Sequence, residues 1–270
     1  MTLETIRKRI KNDQETKDLV LSDSDLLKVN RYLDIRGQII DGYQAVLKTE
    51  PYVEIIYVPT QEKKDLMQKI KLQNHLHFFD SDIYLQDASL DKFEVFNEER
   101  AKTLEIVHDF LNNYSKENYY KGLYIYGKYS TGKTYLLSAI AHELAKKDVN
   151  VLMVFMPDLV RSIKQGISSG DLEEKINLLK QADCLMLDDL GGENMSSWFR
   201  DEILLPIIQY RLSARLPVFI TSNLTMESLA EYLSAGRSTE LDYIKSVRLI
   251  QRIRDLTRYV ELNDDQYKKR

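Results

Sequence analysis

The chain has 270 residues, of which 43% are hydrophobic, and a formal net charge of −4. This length allows one or two domains, and the slight acidity excludes a protein that binds nucleic acid through its bulk charge. The single cysteine, Cys184, excludes an internal disulfide framework and a cysteine-based zinc cluster. No stretch approaches the length of an apolar membrane span, and the first residues are charged. We therefore expect no membrane partner and a cytoplasmic location.

The first part of the chain, residues 1–75, predicts a small, mostly helical α+β domain. We predict three helices there: 2–21, whose apolar residues lie roughly on one face, 23–34, capped near Ser22 or Asp23, and the charged segment 61–74. Gly37 and Gly42 break the pattern between the second and third of them. The apolar run 52–58 predicts a strand that ends at Pro59.

Residues 76–98 have no clear period, and we expect them to form a linker to a second domain, 99–270. In that domain, short apolar runs predict five strands: 123–126, 151–155, 184–188, 217–222 and 258–262. Helical patterns lie between them, including 100–113, 158–166, a helix that opens with the capping box Asp171-x-x-Glu174, and 197–214. Strands that alternate with helices predict an α/β fold in which a parallel sheet is flanked by helices.

The most informative motif lies in the stretch 122–142. A strand-like run, a glycine loop of the pattern G-x-x-x-x-G-K-[ST] and a helical pattern follow one another, which is the context of a P-loop. The backbone N–H groups of such a loop and the start of the next helix attract anions. Lys133 is expected to reach the β- and γ-phosphates, and Thr134 to offer its hydroxyl to Mg²⁺. The residues expected to bind nucleotide are Gly127, Lys128, Tyr129, Ser130, Thr131, Gly132, Lys133, Thr134 and Tyr135.

A second acidic element follows one strand after the P-loop. The apolar run that begins at Cys184 ends in the pair Asp188-Asp189. Asp188 is placed to hold Mg²⁺, through water, and Asp189 to orient or deprotonate an attacking water. The alternative is a strand that ends in a solvated Asp-Asp turn, but the position relative to the P-loop favours the metal site.

Two further polar positions have roles that the residues alone leave open. Asn223 follows the strand 217–222, where its amide is expected beside the γ-phosphate, yet it is equally well placed to cap the next helix. Arg248 and Arg252 lie four residues apart on one face of a predicted helix. An arginine that reaches a neighbouring subunit's γ-phosphate stabilises transition-state charge, although spacing alone favours a solvated basic face.

Taken together, four segments resemble the DnaI-type replicative helicase loaders, which are DnaC-like AAA+ ATPases: GKYSTGKT, LMLDDLGGENMSSWFRDEIL, ITSN and SVRLIQRI. The resemblance extends over residues 90–265. It implies a P-loop AAA+ core that hydrolyses ATP, with ATP and Mg²⁺ as cofactors. It also implies a function, the loading of a replicative hexameric DNA helicase onto single-stranded DNA during replication initiation or restart. The partners would be that helicase, single-stranded DNA and further copies of the chain that associate through their nucleotide sites.

The resemblance also implies roles for individual residues. The implied site consists of Lys133, Thr134, Asp188 and Asp189, with Asn223 as sensor 1 and Arg248 as an arginine finger offered to the next subunit. The helices across 157–181 match an initiator-type insertion that lines a path for single-stranded DNA. There Arg161 and Lys164 either contact phosphates or form a solvated face. Asp189 stands where many AAA+ proteins have Glu, and its shorter carboxylate implies a slow, switch-like ATPase.

The N-terminal domain departs from the pattern that it resembles. DnaI-type loaders carry an N-terminal zinc-binding domain that docks on the helicase. Here Gly42-Tyr43-Gln44 stands where a ligand His is expected, and Ile56-Tyr57-Val58-Pro59 stands where a ligand Cys is expected. We therefore expect residues 1–75 to form a helicase-interaction domain that has lost its zinc ligands and is held by packing alone.

Three other functions are weighed against helicase loading. A small-molecule P-loop kinase requires an arginine-rich lid, and the sequence has an Asp-Asp pair and an Asn instead. A transposition ATPase of the IstB kind shares the same core, so the N-terminal domain is what separates the two. A nucleotide-dependent adaptor with little turnover is a third possibility, against which the intact Lys133, Asp188 and Asp189 argue.

Overall fold

The computed structural model of the chain describes residues 2–78, 87–193, 195–234 and 240–262. The chain divides into two compact units, residues 1–70 and 71–270. The predicted linker, 76–98, includes residues 79–86, which lie outside the described ranges. Within these ranges, no helix combines the length and the apolar character needed to cross a membrane.

The N-terminal unit pairs two helices with a small antiparallel sheet. In chain order, its elements are α1 (Leu3–Asn12), α2 (Asp23–Ile35), β1 (Ile39–Ile40), β2 (Tyr43–Lys48) and β3 (Glu54–Pro59). A third helix, α3 (Gln61–His75), follows and runs across the division between the units. The sheet order within the described residues is β1-β2-β3. Ile6 and Ile10 of α1 pack with Leu26 and Val29 of α2 and with Val53, which gives the unit a hydrophobic core.

Two predictions for this unit are wrong in detail. The helix predicted over 2–21 ends at Asn12, because Asp13 leaves the helical region and its carboxylate accepts the Glu15 N–H at 3.1 Å. The break predicted around Gly42 is the turn of a hairpin instead, in which Asp41 and Gly42 both have positive φ, 52° and 81°. An Asp-Gly pair between apolar runs is a strong hairpin signal, and it adds β1 and β2 to the strand predicted at 52–58.

The second unit is built on a parallel sheet, as predicted. Within the described residues the sheet has six strands: β4 (Leu76–Phe78), β5 (Gly122–Tyr126), β6 (Val151–Phe155), β7 (Cys184–Asp188), β8 (Val218–Ser222) and β9 (Thr257–Glu261). Their order is β4-β6-β7-β8-β5-β9, and every neighbouring pair is parallel. The strand β4 lies within the stretch that the sequence predicts as a linker. The α/β fold class is confirmed, and the predicted strands of the core all form.

Helices cover both faces of this sheet. They are α4 (Glu98–Asn113), α5 (Lys133–Lys146), α6 (Met156–Ser169), α7 (Leu172–Gln181), α8 (Leu205–Ala214), α9 (Met226–Ser234) and α10 (Glu240–Leu256). Along β7, Leu185 and Leu187 belong to the buried cluster that includes α6 to α10, whereas Cys184 and Met186 belong to the one with α4 and α5. This alternation is what a strand buried on both faces requires.

Two helices differ from their predicted form. The helix predicted over 197–214 is continuous, but Phe199–Leu204 is wound as a π-helix before α8, a rare form that is frequent at functional sites. The capping box predicted at Asp171 is wrong, since its carboxylate makes no cap hydrogen bond. It pairs with Lys175 at 3.1 Å instead and accepts from Ser169.

Candidate active site

The phosphate-binding loop joins the end of β5 to the start of α5. Gly132 is the residue that precedes α5, and its φ of 90° is in the left-handed region, where glycine carries no steric penalty. The first N–H groups of α5 have no partner within the helix, so they can meet an anion together with the positive end of the helix. Because β5 lies beside β8, and β8 beside β7, the carboxyl ends of all three strands meet at this loop.

Lys133 is buried at the centre of the site, with 8% of its surface exposed. Its ammonium group donates to the carbonyl oxygens of Gly127 at 2.7 Å and Lys128 at 2.8 Å. A third hydrogen bond, of 2.7 Å, goes to Oδ1 of Asn223. Burial lowers the pKa of Lys133, while the nearby carboxylates of Asp189 and Asp188 act in the opposite direction. The lysine is therefore held by three fixed acceptors at the phosphate-binding loop.

Asp188 lies at the end of β7 and is buried among hydroxyl groups. Thr134 donates to both of its oxygens, at 3.1 and 3.0 Å, and Thr221 donates to Oδ1 at 2.5 Å. Burial raises the pKa of Asp188, and the two threonine hydroxyls offset part of that effect. This group of oxygen atoms is the kind that a hard cation such as Mg²⁺ prefers.

Asp189 and Asn223 form the outer part of the site. The side-chain amide of Asn223 donates to Oδ1 of Asp189 at 2.9 Å, and the N–H of Asp189 donates to the Thr221 hydroxyl at 2.9 Å. A Cβ atom at Gly192 would lie only 2.2 Å from Oδ2 of Asp189, so a side chain at this position would displace the Asp189 carboxylate. The alternative prediction, that Asn223 caps the next helix, is wrong. Thr225 takes that role and accepts the Ser228 N–H at 3.1 Å.

Some of the expected residues lie elsewhere. Arg248 is exposed on α10, and within the described ranges its guanidinium makes no hydrogen bond or ion pair; its carbonyl accepts from Arg252 at 3.0 Å. Arg161 and Lys164 are exposed on α6, where Arg161 pairs with Asp158. The structure thus leaves these three residues on the surface. The predicted residues that it brings together are Lys133, Thr134, Asp188, Asp189 and Asn223.

The remaining loop residues differ in their surroundings. Lys128, Tyr129 and Ser130 are exposed, Tyr129 to 70%. Thr131 is buried, and its hydroxyl donates to the Lys128 carbonyl at 3.1 Å. The Tyr135 hydroxyl is within 3.2 Å of both the N–H and the carbonyl of Ser89, which fastens the segment before α4 to the start of α5.

Three residues of the site escape the sequence motifs. Thr221 connects the Asp188 carboxylate with the backbone of Asp189, because its hydroxyl donates to Asp188 and accepts from the N–H of Asp189. Glu193 is buried below the turn after Asp189, where its Oε2 accepts the Gly191 N–H at 3.0 Å. Arg100, on α4, donates to the carbonyl of Thr131 at 2.8 Å. The polar pair Thr221-Ser222 at the end of β8 is a signal for Thr221; the other two contacts have no local signal.

Comparison with known proteins agrees with this geometry. The model of a family described as IstB-like ATP binding protein matches residues 64–270. The chain belongs to the IstB-like ATP-binding family. ATP is therefore the nucleotide of this P-loop site. The family match includes both the phosphate-binding loop and the Asp188-Asp189 pair, and it extends to the end of the sequence.

Within the IstB-like family the chain is of the DnaI type, as its motifs predict. The replicative helicase loader DnaI of Bacillus subtilis (strain 168) is 31% identical over 269 residues, which are 95% of this chain and 86% of DnaI. The replicative helicase loader DnaC of Escherichia coli (strain K12) is 26% identical over 150 residues, 55% of this chain and 60% of DnaC. A crystal structure of DnaI matches with a TM-score of 0.65 at 37% identity, covering 70% of this chain and 97% of that one. The predicted AAA+ core is confirmed by these relatives.

Proposed function

We propose that this protein is an ATP-dependent loader of a replicative hexameric DNA helicase onto single-stranded DNA, acting in replication initiation or restart. The observation that carries the proposal is the length of the DnaI likeness, which spans 269 residues and so includes the N-terminal unit as well as the ATP-binding core. In this proposal the N-terminal unit docks on the helicase, and ATP binding and hydrolysis in the core switch the state of the complex with the helicase. A cytoplasmic location goes with this role.

Hydrolysis would proceed by attack of a water on the γ-phosphate of ATP. Asp189 orients this water and accepts its proton, and Asn223 holds Asp189 in place through their 2.9 Å hydrogen bond. Lys133 offsets the charge that develops on the transferred phosphoryl group. Thr134 and Asp188 are the residues that would hold Mg²⁺, which when bound neutralises charge on the phosphate oxygens.

Efficient turnover would require a second copy of the chain. Arg248 is exposed, and its guanidinium makes no hydrogen bond or ion pair within the described ranges. It is therefore available to a neighbour's γ-phosphate, where an arginine can raise the rate by orders of magnitude. Copies would then associate through their nucleotide sites. With Asp in place of Glu at position 189, we expect slow turnover that suits a switch.

Single-stranded DNA would bind on the α6 side of the core. Arg161 and Lys164 are one turn apart there and exposed, which lets them contact successive phosphates of a strand. The net charge of the whole chain is −4, so the contact would be local and sensitive to salt.

A second candidate is a transposition ATPase of the IstB kind, and the family match over residues 64–270 favours it. That match leaves out the first 63 residues, whereas the DnaI likeness includes most of them. A nucleotide-dependent adaptor with little turnover is the third candidate. The three differ in the partner that is bound and in whether ATP is consumed.

The deciding experiment combines light scattering with size-exclusion chromatography. The full-length protein is mixed with the replicative helicase of its host in the presence of ATP or ADP, with Lys133→Ala as the variant that lacks a nucleotide response. Transfer of the helicase to a circular single strand is then measured in the same mixtures. A nucleotide-dependent complex and transfer are expected for the wild type alone.

Each rival gives a different result. Absence of a helicase complex in every nucleotide state contradicts the loader, and stimulation of ATP hydrolysis by a transposase and duplex DNA would then favour the IstB-like role. A helicase complex that forms and transfers the helicase without ATP consumption would identify an adaptor.

A further inference from the structure

A buried arginine contacts the phosphate-binding loop from outside the known motif. Arg100 is on the first turn of α4, and its position there is set by Asn97, whose side chain accepts the Arg100 N–H at 2.8 Å. Only 3% of Arg100 is exposed. Its Nη1 donates to the carbonyl oxygen of Thr131 at 2.8 Å, and the position that a Cβ of Gly132 would occupy is 3.7 Å from Nη2.

The guanidinium is held on its other sides by the segment before α4. Nε donates to the carbonyl of Glu94 at 2.5 Å. The guanidinium carbon lies 4.1 Å from the ring centre of Phe93 and 4.7 Å from that of Phe96, within the range of cation–π attraction. Because the planar group has aromatic and carbonyl neighbours, its orientation is fixed. Arg100 is therefore a rigid donor directed at one peptide of the loop.

That peptide is the one between Thr131 and Gly132. In a trans peptide the C=O and the following N–H point in opposite directions, so a carbonyl directed at Arg100 turns the Gly132 N–H away from Arg100. Gly132 has no Cβ to resist rotation of this peptide. A rotated peptide would present a carbonyl oxygen to the phosphates in place of an N–H, in a loop whose N–H groups bind anions.

We propose that Arg100 is a positioning residue of the ATP site, which holds the Thr131–Gly132 peptide with its N–H directed at the phosphates. This inference rests on the ATP-binding part of the proposed function and on no partner protein. The buried positive charge of Arg100 also raises the electrostatic potential at the loop, which favours the binding of an anion. Glutamine at this position would lose the charge and the planar contact with both rings, and lysine would keep the charge but lose the rigid geometry.

The test compares nucleotide affinity in full-length variants. Dissociation constants for fluorescent ATP and ADP analogues are measured for the wild type, Arg100→Gln and Arg100→Lys, and binding of adenosine is measured by competition. We expect Arg100→Gln to weaken ATP and ADP roughly 10- to 100-fold, the equivalent of one lost charged hydrogen bond, and Arg100→Lys to be intermediate. Adenosine, which has no phosphate, should bind equally to all three.

A matched control removes another arginine contact of the same helix. Arg258 of β9 pairs with Asp109 of α4 at 2.5 Å, so Arg258→Gln loosens α4 without touching the loop. We expect its affinity for ADP to stay within about twofold of the wild type, since exposed ion pairs contribute little. The amide resonance of Gly132 gives a direct readout: ADP should shift it in the wild type and in Arg258→Gln, and much less in Arg100→Gln.

The outcomes separate the inference from the proposed function. A folded Arg100→Gln protein that binds ADP as the wild type does, or that loses adenosine binding equally, overturns the role of Arg100. If Arg100→Gln does not fold, Arg100→Lys decides by the same two criteria. Failure of the wild type itself to bind ATP and ADP would overturn ATP binding and leave Arg100 a structural residue.

Discussion

The side-chain amide of Asn223 donates a 2.9 Å hydrogen bond to the carboxylate of Asp189. The carbonyl oxygen of the same amide accepts a 2.7 Å hydrogen bond from Lys133. Asn223 thus connects the residue expected to contact the phosphates with the residue expected to contact the water. No other side chain among the described residues is bonded to both, which makes this position sensitive to substitution.

Replacement of Asn223 by alanine should lower the turnover number for ATP by roughly 100-fold, the usual cost of one lost polar contact in the transition state. KM should change little, because Lys133 keeps its two carbonyl acceptors. Steady-state kinetics test this expectation. Asn113→Ala, which removes an exposed amide from α4, is the matched control, and equal losses in both variants would count against the assignment.

Arg248 should act on the ATP site of a neighbouring copy. We expect Arg248→Ala to lose turnover while it keeps nucleotide affinity, and the specific activity of the wild type to rise with protein concentration. Mixing Arg248→Ala with Lys133→Ala should restore activity, because one chain then contributes an intact ATP site and the other an intact arginine. Arg254→Ala, which changes an exposed arginine of the same helix, should behave as the wild type does. Unchanged turnover in Arg248→Ala would refute the role.

The polar cluster around Arg200 should contribute strongly to stability. Arg200 is buried on the π-helical segment and donates to Asp201, Asp242 and the carbonyl of Leu233, so it joins this segment to α9 and α10. Arg200→Ala removes the buried cation between the half-buried carboxylates of Asp201 and Asp242 and should cost about 3 kcal/mol of unfolding free energy. Urea denaturation measures the loss. Lys245→Ala removes the more exposed partner of Asp201 and should cost less than about 1 kcal/mol; comparable losses would contradict this prediction.

Glu193 should make the stability of the core depend on pH. Its Oε1 is buried and has no hydrogen-bond partner among the described residues, and burial raises its pKa from 4.5 to about 7. A carboxyl whose pKa is raised in the folded state binds its proton more tightly there, so its stabilising effect is complete below pH 4.5 and is lost as the pH rises to about 7. The contribution to the free energy of unfolding that is lost over this pH range is roughly 3 kcal/mol.

Glu193→Gln removes this titration, so stability relative to the wild type should increase between pH 4.5 and pH 8. Urea unfolding at several pH values measures it. Glu173→Gln, at an exposed position on α7, is the control and should follow the wild type at every pH. A constant difference between Glu193→Gln and the wild type across this range would show that Glu193 does not titrate there.

The central residues of the site could be predicted because each lies in or beside a short sequence pattern. The P-loop pattern and the Asp188-Asp189 pair each lie at the carboxyl end of a buried strand. Parallel strands place their carboxyl ends at the same edge of a sheet. Asn223 is placed by the same rule. These positions therefore follow from periodicity and strand order, without knowledge of any particular side-chain contact.

Other features depend on contacts between distant parts of the sequence. Arg100 meets Thr131 across 31 residues, and nothing in either segment signals the pair. The short strand β4 forms because its backbone pairs with β6, although its own sequence shows no strand pattern. The Asp41-Gly42 hairpin is a different case, since its signal is present in the sequence: the break predicted at Gly42 is the turn itself.

The three hydrogen bonds of Lys133 have a consequence for how ATP enters and leaves. An ammonium group has three N–H donors, and all three are engaged, with Gly127, Lys128 and Asn223. A phosphate oxygen can therefore accept a hydrogen bond from Lys133 only by replacing one of these acceptors. That acceptor binds the lysine again when the nucleotide leaves. Exchange with Asn223 would also free its carbonyl oxygen for the water beside Asp189. The acceptors of Lys133 would thus be the same before and after each cycle of ATP binding and release.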